Sequence, residues 1–154
     1  MATVHRAAFD LLDEIGEDIA IPTVDGTDFI LRIAPLQTLL PYLVTHAETF
    51  ANLMRGCISD LPPNHRWSAV LYADEITPGD LLRPECDRKV AAYYISFLEF
   101  GQAGLCNVEA WLPVAIIRAK VVKAQILGRY GCMFRKLLRH LWLGPTSVNA
   151  ARAA

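Results

Sequence analysis

The chain has 154 residues, 53% of them hydrophobic and 20% charged, with a net charge of −1. A length of this order suits one domain that buries roughly two thirds of its unfolded surface, and the composition excludes an extensively disordered chain. No window approaches the ~18 uninterrupted apolar residues of a membrane span, and the acidic start MATVHRAAFDLLDE lacks the apolar stretch of a signal peptide, so an intracellular protein without a membrane span is expected.

The net charge conceals a division along the chain. Up to Glu109 there are sixteen acids against seven bases, −9, and beyond it eight bases and no acid, +8. Such asymmetry marks either a polyanion-facing segment or two oppositely charged parts that pair within one fold.

In chain order, Phe9, Leu12, Ile15 and Ile19 recur at helical spacing among acids, which predicts a short amphipathic helix over 4–19. Asp25-Gly26 then supplies a turn before FILRIA, which reads as an edge-type strand. In PLQTLLPYLVTHAETFANLMR, residues Leu36, Leu39, Leu40, Leu43, Ala47, Phe50 and Met54 form one helical apolar face, on which Pro41 should kink or restart the helix. His46 borders that face and reads as a boundary residue.

SDLPPNHRW is the one turn-rich connection and divides 1–60 from 66–144, with 145–154 as a tail; both parts can still pack as one domain. Three β-prone runs follow: Trp67 to Ile76, then VAAYYISFLEFG, then WLPVAIIRAKVV up to Val122. Short connections between them favour antiparallel pairing. CMFRKLLRHLWLG sets Phe134, Leu137, Leu138, Leu141 and Trp142 on one side and Arg135, Lys136, Arg139 and His140 on the other, a basic amphipathic helix stopped by Gly144-Pro145. The fold class expected is therefore α/β (α+β), a three-stranded antiparallel sheet with flanking helices and Asp74 on the centrally placed first strand.

Cys57, Cys86, Cys106 and Cys132 form no CxxC pair and the four histidines are scattered, so zinc spacing is absent and free, mostly buried thiols are expected. Phosphate-loop, dinucleotide, zinc-protease and serine-hydrolase motifs are absent as well. The acids at Asp74 and Glu75 stand out, because a carboxylate beside a core strand must be paired, exposed, or chemically employed. A bland role for Asp74 is to cap the turn at Thr77 to Gly79 or to pair with Arg88 or Lys89.

VLYADEITPGDLL, RKVAAYYISFLEFG and AWLPVAIIRAKVV together resemble the opening strands of transposase-like proteins of ribonuclease H-like fold derived from mobile elements, over roughly residues 28–143. The resemblance implies a two-metal phosphoryl-transfer site in which Asp74 is the first Mg²⁺ ligand, with Glu75 beside it. No acid follows Glu109, so the second and third ligands of that family are missing. The expectation is an incomplete, catalytically inactive domain with residual DNA affinity through Arg118, Lys120, Lys123, Arg135, Lys136 and Arg139. Its exposed sheet edge would invite self-association or another polypeptide. A metal-dependent nuclease completed by another chain and an unrelated α/β interaction module are the alternatives.

Overall fold

The computed structural model describes residues 11–77 and 89–143. Helical residues 11–15 (α1) lead into the strands Glu17–Pro22 (β1) and Asp28–Ile33 (β2), followed by the helices Leu36–His46 (α2) and Glu48–Asp60 (α3). The strands Ala69–Ile76 (β3) and Val90–Phe97 (β4) come next, then a short helix Gly101–Leu105 (α4), the strand Leu112–Arg118 (β5), and the helices Ala119–Ala124 (α5) and Arg129–Leu143 (α6).

The strands form one antiparallel sheet in the order β1-β2-β5-β4-β3. Five strands stand where three were expected, and the order corrects the placement of Asp74. The strand that carries it is at the sheet edge, whereas β5, the last of the three predicted runs, lies inside against β2. A ribonuclease H-like opening would need the acid-bearing strand in the interior. The composition of β4 explains why that strand is internal: from Val90 to Phe97 it has no charge, and both of its faces are largely buried.

β2 and β5 meet at Ile33 and Ala115, and the Ala34 N–H donates to the Val114 carbonyl at 2.8 Å. This junction runs one sheet through both predicted parts of the chain. The core lies on the sheet face that carries Ile19, Ile21, Leu31, Ile33, Tyr93, Ile95 and Ile117, all buried, and is completed by Met133, Leu137 and Leu141 of α6. α6 reaches three strands there: Tyr130 bonds Glu75 of β3, Phe134 packs edge-on against Tyr93 of β4, and His140 contacts Glu17 of β1.

Three local expectations change. The acidic helix stops at Gly16 instead of reaching Ile19, and the residues that follow alternate inward as β1, pairing Ile19 with Leu31 and Ile21 with Phe29. Arg32 closes the end of α1, donating from Nε to the Leu12 carbonyl at 2.8 Å. The long helix continues through exposed Pro41 and breaks at Ala47, whose extended backbone ends α2 and starts α3. The third run is a strand only to Arg118, beyond which Ala119–Ala124 turns helical.

The Asp25-Gly26 turn forms as read. Gly26 takes a φ of 83°, and the Asp25 carboxylate accepts from the Thr27 N–H at 3.0 Å and the Thr27 hydroxyl at 2.7 Å, with the Thr23 hydroxyl also bonded to it. These bonds, that from Thr23 foremost, hold the Asp25 carboxyl down at about 2. Among the described cysteines Cys57 is half-buried, Cys132 buried and Cys106 exposed, each a free thiol, so the expected burial fails at Cys106. Cys86 lies outside the described residues, as does the 145–154 tail. No helix among the described residues is long and apolar enough to cross a membrane.

Candidate nucleic-acid interface

Neighbouring residues of a strand project to opposite faces, and this rule separates the two acids singled out in the sequence. Asp74 pairs with Ala92 and shares the outer face with Ile116, whereas Glu75 pairs with Ala91 and lies on the helix-covered face with Ile117. Asp74 is exposed and forms no hydrogen bond or ion pair with any described residue. Neither expected partner confirms the bland role: Lys89 is described and does not pair with it, while Arg88, Pro78 and Gly79 fall outside the described residues.

Glu75 is engaged. Its carboxylate accepts from the Tyr130 hydroxyl and pairs with Lys123 Nζ at 2.6 Å. The Lys123 bond, with that of Tyr130 behind it, lowers the Glu75 carboxyl below its ordinary value. Burial, with the Glu75 charge in support, raises the Tyr130 hydroxyl to about 12. Tyr130 was not singled out by sequence reasoning. Its role depends on a contact across 55 positions, for which the sequence has no local signal.

Glu99, the acid that follows β4, is employed elsewhere. Its side chain is only 7% exposed, and Oε1 accepts from His65 Nε2 at 3.0 Å and the Ser68 N–H at 2.8 Å. Burial raises this carboxyl, but the bonds from His65 and the neighbouring amides outweigh burial and leave it lowered. Glu99 follows the end of β4 that pairs with Ala69, while Asp74 sits five residues further along β3, some 16 Å at strand rise.

A pair of Mg²⁺ ions about 4 Å apart requires several convergent oxygens. Asp74 and Glu75 diverge, Glu75 is taken up by Lys123 and Tyr130, and Glu99 is remote; no group of three potential ligands converges among the described residues. The described residues do not form a two-metal centre.

The basic residues are arranged differently. Arg118, Lys120 and Lys123 lie at and within α5 and are exposed, as are Arg135 and Arg139 on α6, while Lys136 is half-buried. Lys123 is neutralised by Glu75. Arg135 and Arg139, four residues apart, share the solvent side of α6 around exposed Leu138, one turn from each other. The buried side of the same helix, through Met133, Leu137 and Leu141, fixes that orientation. No acid lies within 118–143, and none of Arg135, Lys136 and Arg139 forms an ion pair with a described residue.

No family model matches the chain, and no curated protein or solved structure matches it either.

Proposed function

We propose that this protein is a non-catalytic DNA-binding module that contacts the phosphate backbone through Arg135, Lys136 and Arg139 of α6. The observation that supports this reading most is the exposed pair Arg135 and Arg139, one turn apart on an acid-free helix. The Glu75 to Lys123 pair uses one cation of the basic segment for internal cohesion, whereas Arg135, Lys136 and Arg139 of α6 pair with no described acid and are offered to an external anion. Phosphate contacts of this kind are independent of sequence and release counterions. Binding of this kind requires neither a metal centre nor descent from a mobile element.

The test is anisotropy titration of a labelled duplex over roughly 50 to 200 mM salt. Three phosphate contacts give a slope of log K against log salt of about −2.7. Absence of binding at the lowest salt overturns the proposal. Metal-dependent cleavage abolished by Asp74→Asn would instead establish the nuclease reading.

A protein-interaction module is the second reading, favoured by one observation: β3 forms an edge of the sheet and carries Tyr72, 49% exposed, on its outer face. An edge strand offers unpaired backbone groups to an added strand.

A further inference from the structure

A cavity of about 160 Å³ opens where α2, α3, the start of β3, the end of β4 and the last turn of α6 converge. Its walls are Leu36, Leu40, Met54, Trp67, Ala69, Phe97 and Trp142, with no charged side chain among them. Leu36 and Phe97 form a buried floor, whereas Leu40, Met54, Trp67, Ala69 and Trp142 are half-buried, so the cavity has a mouth reachable from solvent.

One wall is held firmly. Trp67 packs edge-on against Phe97 at 5.3 Å and Phe100 at 6.2 Å between ring centroids. On either side of it in sequence, His65 and the Ser68 N–H are both bound to the same oxygen of Glu99. The indole is therefore clamped in sequence before and after, and by rings on its inner side. A rigid wall keeps a cavity from collapsing, and tight packing normally eliminates voids of this size.

We propose that this cavity is a binding site for a small, uncharged, apolar group about one aromatic ring in size. An enclosed apolar cavity of roughly 150 Å³ accepts benzene, and apolar walls around a similar volume here favour the same kind of guest, because water against them loses hydrogen bonds. The two indoles and Phe97 offer edge-on and offset ring contacts, and Met54 offers an adaptable sulfur side chain. An ionised group has no counter-charge among the lining residues, so the site discriminates by charge as well as by size. The site is separate from the basic face of α6 and does not depend on DNA binding.

The experiment is a toluene titration of the full chain followed by NMR, with benzoate as the charged analogue of similar size and Leu40→Ala and Ala69→Leu as variants. Toluene should saturate with a Kd of roughly a millimolar or tighter, shifting the methyl signals of Leu36, Leu40, Met54 and Ala69. Benzoate should bind at least tenfold more weakly. Ala69→Leu, which fills the cavity, should weaken toluene at least tenfold, and enlargement by Leu40→Ala should move the preference toward naphthalene. Should Ala69→Leu fail to fold, the Leu40→Ala preference and the benzoate comparison still decide. Shifts that do not saturate, shifts centred away from these residues, or equal binding of benzoate would each overturn the proposal.

Discussion

Glu75 and Lys123, on β3 and α5, join the acidic and the basic stretches of the chain through an ion pair of 2.6 Å that Tyr130 of α6 reinforces. His140 and Glu17 make a second contact, between α6 and β1. Part of the charge division along the sequence is thus spent inside the fold.

Glu75→Gln should lower stability at neutral pH by about 0.5–1 kcal/mol, a small loss because Lys123 is half exposed and solvent screens the pair. The Glu75 carboxyl is lowered on folding, so its contribution is present above its ordinary value of 4.5 and is lost as pH falls through the lower folded value. Urea denaturation of both proteins should therefore show a gap at pH 7 that closes in acid. An equal gap at all pH values would show that Glu75 acts by packing.

Tyr93→Phe should leave stability unchanged or raise it by about 1 kcal/mol. The Tyr93 ring is fully buried against Phe134, and its hydroxyl has no hydrogen-bond partner among the described residues. Burial drives that hydroxyl's pKa well upward, consistent with an uncompensated polar group. A thermal melt in which the Phe variant is less stable by more than about 1 kcal/mol would reveal a partner for the hydroxyl.

Glu99→Ala should cost about 1–3 kcal/mol, since it leaves the Ser68 N–H and His65 without their shared acceptor. Glu99→Gln, which keeps a carbonyl oxygen, should cost less. The same substitution to Ala should shift Trp67 fluorescence, because the residues on either side of that indole lose their anchor. An unaltered emission spectrum would contradict the bracing role.

Leu137→Ala should destabilise the protein by about 2–5 kcal/mol, as Leu137 is fully buried where α6 crosses the sheet. Leu138→Ala, one position on and 44% exposed, should change stability by less than about 0.5 kcal/mol. Chemical denaturation of the pair measures the orientation of α6 directly.

Much of the fold was legible wherever one periodicity dominated. The apolar side of α6 was read from spacing except at Leu138, which is exposed. The strand FILRIA was read too, although it lies inside the sheet and not at the edge expected of it. The Asp25-Gly26 turn followed from its residue types, and Leu36, Leu39 and Phe50 bury the face expected of them. β1 was hidden because Ile15 and Ile19 continue a helical spacing across Gly16, while the alternation of Ile19 and Ile21 has meaning only beside Leu31 and Phe29. Strand order was not local information either, although a signal existed. β4 is free of charge on both faces whereas β3 carries Asp74 and Glu75, and an acid-bearing strand belongs at an edge.

The candidate site was legible as a set of residue types but not as an arrangement. Adjacent acids in sequence suggested cooperation at a metal, and strand alternation sends them to opposite faces. The partners that occupy Glu75 and Glu99, namely Lys123, Tyr130, His65 and Ser68, lie 31 to 55 positions away and came only with the fold. Arg135 and Arg139 were identified correctly as lying on the exposed side of α6, because that helix's apolar pattern fixes which side faces water.

The most direct test is duplex binding by the wild-type chain and by the double variant Arg135→Glu with Arg139→Glu, across a salt series. Salt-sensitive binding that the double variant loses by at least about tenfold per reversed charge, with its melting temperature unchanged, is the predicted result. Equal binding by the two proteins, or wild-type affinity that does not fall with salt, would contradict a phosphate-contacting α6.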